Sequence, residues 1–116
     1  MEKTKLPSEA KIQQEIFIWY SNNYCRLSQQ NRGIIFAVPN GGTRNKMEAI
    51  TLKATGLLAG VSDLIVIHKE NVLFIEVKTE IGKQSKEQID FENRIKENGF
   101  QYHIVKSLPD FTRIIK

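Results

Sequence analysis

Two ionisable side chains stand in a segment that otherwise has the composition of a protein core. Residues 72–79 are rich in β-branched and aromatic types, which predicts a strand. Because side chains alternate along a strand, Glu76 and Lys78 lie side by side on one face of it. Charges are costly to bury unless they are paired or bind a metal ion. Taken alone, the segment fits a functional site and a charged patch on a half-solvated strand equally well.

A second carboxylate joins them from the preceding strand. An apolar run ends at Ile67, and a short polar link leads from it to Val72, which together predict a β-hairpin. If Ile67 pairs with Val72 around a four-residue loop, Asp63 falls opposite Glu76. A slip of two residues keeps Asp63 on the same face, whereas a slip of one moves it to the other face. We therefore expect Asp63, Glu76 and Lys78 to converge across neighbouring strands.

Two carboxylates and a lysine at one point suit metal-dependent hydrolysis of phosphodiester bonds. Mg²⁺ prefers hard oxygen ligands, so we expect Asp63 and Glu76 to bind it, with the Val77 carbonyl and waters completing an octahedron. We expect Mn²⁺ to substitute for Mg²⁺. Lys78 would then orient the attacking water and offset negative charge in the transition state.

Length and composition indicate one small globular domain. The chain has 116 residues, 41% of them hydrophobic and 26% charged, which predicts a single domain over residues 1–116. Its formal net charge of +4 fits a polyanionic partner without proving one. Cys25 is the only cysteine, which excludes an internal disulfide and a cysteine-rich zinc site. No apolar run reaches membrane-spanning length, so we expect a soluble, intracellular protein that binds no membrane.

Hydrophobic periodicity predicts alternating helices and strands. The expected elements are a helix over residues 8 to about 25, a strand over 34–38, a helix over 45–55, the hairpin, a helix opened by the capping-box pattern at 85–88, a strand over 101–105 and a helix over 111–115. A helix between the hairpin and the last strand favours a parallel crossover. The expected fold is therefore α/β, with a mixed β-sheet of about four strands flanked by helices. Strand 34–38 is apolar throughout, which suggests that both of its faces are covered.

Three further residues have a structural and a functional interpretation. Glu15 lies beside the apolar stripe of the first helix, where most glutamates only solvate the edge of the stripe. Gln88 is the third helical residue of the capping box, which explains it fully, yet that turn also follows closely on Lys78. Gly60 would let the backbone approach the site, or it is simply a turn glycine. The residues alone leave these alternatives open.

Backbone and lysine groups upstream of the hairpin are candidates for contacts with phosphate. Asn40, Gly41 and Gly42 follow a strand, and such a segment leaves N–H groups open to close approach, although a plain loop has the same composition. Lys46 and Lys53 lie on the helix that follows. These five residues are candidates for contacts with a phosphodiester backbone, which would position a nucleic acid without specifying its sequence.

The ordered set of these motifs resembles the VRR-NUC domain of the PD-(D/E)XK nuclease superfamily. The bare acid-and-lysine pattern is weak, but the whole set extends over residues 8–115 and is more specific. The matching segments are Pro39-Asn40-Gly41, Gly56-Leu57, Gly60-Val61-Ser62-Asp63, Ile75-Glu76-Val77-Lys78, Ser85-Lys86-Glu87-Gln88 and Gly99-Phe100. Ser62 departs from the proline usual before the aspartate, which loosens the turn without removing a catalytic group.

The resemblance implies a restriction-endonuclease-like core and metal-dependent DNA endonuclease activity, often on branched DNA such as four-way (Holliday) junctions. It assigns metal binding to Asp63 and Glu76, and activation of water or phosphate to Lys78. It also matches Glu15 to the acid of the first helix, where it would bind a second ion or hold Lys78 in place. Gln88 matches the glutamine that follows the motif.

The sequence thus predicts a Mg²⁺-dependent endodeoxyribonuclease, with two alternatives. A non-catalytic nucleic-acid-binding module on the same fold would gain little from carboxylates that face phosphates. A sequence-specific restriction-type nuclease would need a target-reading insertion, for which 116 residues leave little room. A two-fold homodimer would match a symmetric junction, and stand-alone domains resembling this chain suggest one. Phe111, Ile114 and Ile115 of the last helix are its candidate surface, unless they cap the core.

Overall fold

The computed structural model describes residues 6–26, 32–39 and 45–116, and its elements follow the predicted order. They are α1 (Glu9–Tyr20) with a π-helical continuation over Ser21–Cys25, β1 (Ile34–Ala37), α2 (Lys46–Ala54), β2 (Leu64–His68), β3 (Asn71–Val77), α3 (Lys86–Glu97), β4 (Gln101–Val105) and α4 (Leu108–Ile114). No helix within these ranges is long and apolar enough to cross a membrane.

The four strands form one mixed sheet in the order β1-β2-β3-β4. The pairs β1–β2 and β2–β3 are antiparallel, and the crossover through α3 makes β3–β4 parallel, as the sequence predicted. One face of the sheet packs against α1 and α4 and forms the hydrophobic core. The buried members of that core include Ile12, Ile16, Tyr20, Leu64, Val66, Leu73, Ile75, Val77, Val105 and Phe111.

The hairpin of β2 and β3 has the predicted register with a tighter turn than expected. Ile67 pairs with Val72, and the pairing continues to His68 and Asn71, so the four-residue loop of the prediction is wrong. Only Lys69 and Glu70 remain in the turn, at φ values of 47° and 71°. A two-residue hairpin turn can require positive φ at both positions, which non-glycine residues adopt at some cost. The register sets Asp63 just before β2, on the same face as Glu76.

Side-chain caps begin the helices where the sequence indicated. Ser8 accepts a hydrogen bond from the backbone N–H of Lys11, and Asn45 caps α2 in the same way. Ser85 and Gln88 form the predicted capping box, in which each side chain bonds the other residue's backbone N–H. The box fixes the first turn of α3, which borders the candidate site.

Strand β1 is covered on one face only, which contradicts the expectation drawn from its continuous apolar run. Ile35 is buried against the core, but Ile34 and Phe36 on the opposite face are 51% and 43% exposed. The physical reason is that β1 is an edge strand and that α2 packs against no other helix or strand within the described ranges. The last helix does cap the core, since Phe111 and Ile115 are buried.

Candidate active site

Asp63 is held at the start of β2 by the neighbouring strands. Its carbonyl accepts a hydrogen bond from the Val38 N–H at 3.0 Å, and its Oδ2 accepts one from the Val77 N–H at 2.7 Å. Burial raises the pKa of Asp63, and the charges of Glu9 and Glu76 act in the same direction, while the Val77 hydrogen bond and Lys78 oppose them. A partly buried carboxylate crowded by other carboxylates is stabilised by a cation.

Glu76 is fully buried, and its two oxygens have different surroundings. Oε1 accepts hydrogen bonds from the Tyr102 hydroxyl and from Gln84 Nε2, the latter at 3.2 Å. Oε2 is buried without a hydrogen-bond partner among the described residues, and lies 3.8 Å from Lys78 Nζ. Burial raises the pKa of Tyr102, as do the hydrogen bond and charge of Glu76, so the hydroxyl remains a donor. Buried polar atoms normally find partners, so the free oxygen requires an explanation.

Lys78 reaches this cluster from just beyond β3. Its backbone N–H bonds to the Val105 carbonyl at 3.0 Å, which extends the parallel pairing by one residue. The residue is only 8% exposed, and Nζ donates to Gln88 Oε1 at 2.9 Å. The ammonium therefore lies between Gln88 Oε1 and Glu76 Oε2.

Gln88 forms the predicted capping box and also contacts Lys78, so its structural interpretation is confirmed and its functional one stays a prediction. Its Oε1 accepts the Ser85 N–H at 2.8 Å, which closes the capping box, and also accepts Lys78 Nζ. Gly60 explains how this helix turn comes so close to the site. A Cβ at Gly60 would lie 2.2 Å from the Glu87 carbonyl oxygen, and its φ is +83°, so both space and conformation require glycine here.

The structure does not bring Glu15 to the cluster. Glu15 is exposed, and at about 100° per residue it lies roughly 100° around α1 from the buried Ile16. Glu9 lies within about 20° of Ile16 by the same count, and its charge acts on Asp63. Glu9, which is also exposed, is therefore the acid of the first helix whose charge acts on Asp63, and the role of Glu15 stays a prediction.

The expected DNA-contacting residues divide into three groups. Asn40, Gly41 and Gly42 lie outside the described residues. Lys53 lines a cavity beside the site, together with Gly60, Ser85 and Gln88 among others. Lys46 is exposed at the first turn of α2 and does not line that cavity.

The residues fit a magnesium ion with few protein ligands. The described ranges contain no cluster of three or more histidine, cysteine or acidic side chains able to hold a metal. Mg²⁺, however, is usually bound by one or two carboxylates and keeps several waters, so a larger protein cage is not expected. The unpartnered Oε2 of Glu76 and the crowded carboxylate of Asp63 supply such a pair. Val77 is adjacent to both, since its N–H bonds Asp63 Oδ2 and it follows Glu76 in the chain, so its carbonyl remains a predicted ligand.

Two residues around Glu76 were missed by the sequence interpretation. Gln84 stands in the loop before α3, and a loop amide gives no periodic signal. Tyr102 pairs with Phe74 in the parallel register of β3 and β4, which places it on the same face as Glu76. Knowledge of this register would have indicated Tyr102. The hydrophobic pattern fixes only which residues share a face, and a shift of the parallel strand by two residues keeps the same pattern.

A four-stranded mixed sheet with an acid–acid–lysine cluster at the strand ends defines a nuclease-type α/β domain. The profile of the VRR-NUC domain family matches residues 2–109, and the chain belongs to that family. The resemblance noted from the motifs is thereby confirmed. No curated protein matches the chain.

Two solved structures share the fold of this chain. A structure titled "VRR_NUC domain protein" superposes with a TM-score of 0.72 at 21% identity, over 96% of this chain and 87% of that chain. A second, titled "VRR_NUC domain", has a TM-score of 0.56 at 18% identity, over 87% of this chain and 90% of that chain. At these identities the likeness establishes the architecture, and the chemistry must be argued from the side chains.

Proposed function

We propose that this protein is a metal-dependent DNA endonuclease that hydrolyses phosphodiester bonds, with Mg²⁺ as its ion. The observation that carries this proposal is the buried Oε2 of Glu76, which lacks a hydrogen-bond partner among the described residues and lies 3.8 Å from Lys78 Nζ. A carboxylate oxygen in that state is costly unless a cation completes its surroundings. Lys78 alone is too distant for a hydrogen bond, so an ion would satisfy Oε2 better than the lysine does.

Asp63 and Glu76 would hold the ion, and the carbonyl of Val77, whose N–H bonds Asp63 Oδ2 and which follows Glu76 in the chain, is a candidate third ligand. Bound there, Mg²⁺ would act as a Lewis acid on the scissile phosphate and lower the pKa of a bound water. The Asp63 Oδ2 is fixed by the Val77 N–H, which holds the two ligand-bearing strands at a constant separation.

Lys78 has the position and the chemistry to orient the attacking water. Nζ is a compact charge with three donors, and one of these is used by Gln88 Oε1. Nζ also lies 3.8 Å from Glu76 Oε2. Among the described residues only Gln88 Oε1 accepts a hydrogen bond from Nζ, so its other donors would serve a water or a phosphate oxygen, where the ammonium would offset developing negative charge.

A polyanionic substrate agrees with the charge and shape of the surroundings. The chain carries a formal net charge of +4, and Lys53 lines the cavity that adjoins Gln88 and Gly60. We assign phosphate-backbone contacts to Lys53, and also to Lys46 and to the segment Asn40, Gly41 and Gly42. Such contacts position DNA without reading its sequence, which favours recognition of shape, as in a branched junction.

A homodimer would present two such sites to a symmetric four-way junction. The last helix offers little of its predicted surface, because Phe111 is fully buried, Ile115 nearly so, and Ile114 partly buried against the core. Large exposed apolar side chains lie instead on the uncovered face of β1 and β2, where Ile34, Phe36 and Ile67 are each at least 36% exposed. Light scattering should give twice the 13.4 kDa chain mass, and Phe36→Glu should return it to the monomer value. A wild-type monomer, with and without junction DNA, would contradict the dimer.

A panel of DNA substrates tests the activity itself. Linear, flapped and four-way junction DNA are incubated with the protein in Mg²⁺, in Mn²⁺ and in EDTA. We expect cleavage with either metal and none in EDTA, with the junction cut fastest and by paired nicks on opposing strands. Binding of these substrates without any cleavage would instead identify a non-catalytic DNA-binding module.

A further inference from the structure

The carboxylate of Glu76 is held by a network on the side away from Lys78. The Gln84 amide nitrogen donates both to Glu76 Oε1 at 3.2 Å and to Glu92 Oε1 at 2.8 Å. An NH₂ group has two hydrogens, so both are used by carboxylates. Gln84 therefore bridges two acids that would otherwise repel each other.

Two further groups complete the network. The Tyr102 hydroxyl donates to the same Glu76 Oε1, from the neighbouring strand β4. On the opposite side, Lys96 Nζ bonds Glu92 Oε2 at 2.6 Å, which fixes the distant end of the bridge on the outer part of α3. Tyr102 is itself packed, since its ring contacts Phe91 edge to face at 6.1 Å between ring centroids.

The consequence is an unequal use of the two oxygens of Glu76. Oε1 has two donors, whereas Oε2 has no hydrogen-bond partner within the described ranges. Rotation of the carboxylate would break both bonds to Oε1, so the free oxygen stays directed to the Lys78 side. Groups that orient a metal ligand in this way normally tune its affinity for the ion.

We propose that Gln84 and Tyr102 are positioning residues that hold Glu76 with Oε2 directed to the metal position, an inference that rests on the proposed function. Neither residue touches the reacting atoms. Each acts through Glu76, so its loss should weaken metal binding. Cleavage should become slower only in proportion to the fraction of protein whose metal site is empty.

The test measures Mn²⁺ binding by titration calorimetry for the wild type, Tyr102→Phe and Gln84→Met. Both substitutions keep the approximate side-chain volume; Tyr102→Phe removes the hydroxyl, and Gln84→Met removes the whole amide, including the NH₂ that bonds Glu76 and Glu92. We expect each variant to bind Mn²⁺ about 10-fold or more weakly, the usual effect of losing a group that orients a ligand. Cleavage should recover when the Mg²⁺ concentration is raised, and DNA affinity in EDTA should equal that of the wild type.

Tyr20→Phe is the matched control for Tyr102→Phe. Tyr20 is also a buried tyrosine, and its hydroxyl bonds His68 Nδ1 at 2.9 Å at the opposite end of β2. The control should lose comparable thermal stability and keep wild-type Mn²⁺ affinity. If Tyr102→Phe fails to fold, Gln84→Met remains, because Gln84 lies in a loop and is only half-buried.

The outcomes separate this inference from the proposed function. Suppose that the wild type binds Mn²⁺ and cleaves DNA, while Gln84→Met and folded Tyr102→Phe bind Mn²⁺ with unchanged affinity. That result would overturn the positioning role and leave the proposed function intact. Equal weakening in Tyr20→Phe would also overturn it, since the effect would then be general destabilisation. A wild type that binds no Mn²⁺ would overturn the proposed function and this inference with it.

Discussion

At the scale of single residues, the site consists of charges that the protein alone does not fully neutralise. Glu76 is fully buried and has one oxygen without a hydrogen-bond partner in the described part of the chain. Lys78 is almost as buried and lies 3.8 Å from that oxygen. Removing one member of a buried charged pair typically costs several kcal/mol, about 3–5. Such a costly buried cluster, with one oxygen left without a partner, is typical of a site that binds a ligand or an ion.

Gln88→Glu separates the capping role of this residue from its contact with Lys78. Glutamate can fill the same place in a capping box, so α3 and the thermal stability should be retained. The new carboxylate would lie about as close to Lys78 Nζ as Oε1 now does, at 2.9 Å. It would form an ion pair with the Lys78 ammonium and pull it away from the attacking water. The rate of cleavage should therefore fall by about 100-fold, which is the usual contribution of one positioned electrostatic group. Full activity would return Gln88 to a purely structural role.

A pair of charge-neutralising variants on α1 tests which acid faces the site. Glu9→Gln removes a charge that acts on Asp63, whereas Glu15, although equally exposed, does not act on Asp63. We expect Glu9→Gln to change the Mg²⁺ dependence of cleavage by about 10-fold and Glu15→Gln to leave it unaltered. Kinetics over a range of Mg²⁺ concentrations would show the difference. A larger effect of Glu15→Gln than of Glu9→Gln would instead support Glu15 as the acid of the first helix that acts at the site.

Much of this cluster could be predicted from sequence because strand alternation and hairpin register are strong constraints. A one-residue slip would have exposed the whole core face of β3, so Asp63, Glu76 and Lys78 had to share the other face. Gln84 and Tyr102 could not be predicted in the same way. Their contacts depend on how a loop folds and on the parallel register across α3, and neither leaves a periodic pattern in the sequence.

At the scale of elements, the hairpin shows where local conformation overrides composition. The polar stretch 68–71 has the composition of a four-residue loop, yet His68 and Asn71 still pair. The turn closes over Lys69 and Glu70 because both accept positive φ. The outer face of β1 shows a related limit, since an apolar run does not reveal which face a neighbouring helix will cover. Ile34 and Phe36 remain exposed for this reason.

Glu70→Gly should stabilise the hairpin. Glu70 has φ of 71°, and a non-glycine residue in this region costs about 1–2 kcal/mol. Glycine removes that cost but loses about 0.5–1 kcal/mol of backbone entropy, so a net gain near 1 kcal/mol is expected. Glu70→Ala is the control, because it removes the same charge and keeps the unfavourable φ. Urea unfolding of the three proteins gives the comparison, and equal stability of the glycine and alanine variants would contradict strain at this turn.

At the scale of the whole molecule, the end of the sheet opposite the site has its own buried polar group. His68 is buried, and its Nδ1 lies 2.9 Å from the Tyr20 hydroxyl. Its Nε2 lies 3.3 Å from the Lys116 carbonyl oxygen. A neutral ring satisfies both contacts, with Nε2–H as donor and Nδ1 as acceptor. Burial lowers the pKa of His68, and the charge of Lys69 adds to this, while the Lys116 hydrogen bond opposes it.

Stability should therefore fall on the acid side of neutrality. The unfolded chain takes up a proton near the ordinary histidine pKa of 6.5, above the lowered folded pKa of His68. Unfolding then binds protons, so the free energy of unfolding decreases as the pH falls below about 6.5 and through the folded pKa. His103, whose pKa is also lowered by burial, contributes in the same direction. Urea unfolding between pH 7.5 and 5.5 should show a smaller loss for His68→Gln than for the wild type, and an equal loss would exclude His68 as a source.

The most direct test of the metal-dependent nuclease is cleavage by Glu76→Gln. A glutamine oxygen can still accept hydrogen bonds from Tyr102 and Gln84, so the fold should survive while one ligand charge is lost. Asp90→Asn is the control, because its carboxylate is exposed on α3 and, among the residues that the structure describes, pairs only with the exposed Arg94. We predict that the wild type and Asp90→Asn cut DNA with Mg²⁺ and not with EDTA, and that Glu76→Gln, folded and able to bind DNA, does not cut. Cleavage by Glu76→Gln at the wild-type rate would contradict the assignment of this site.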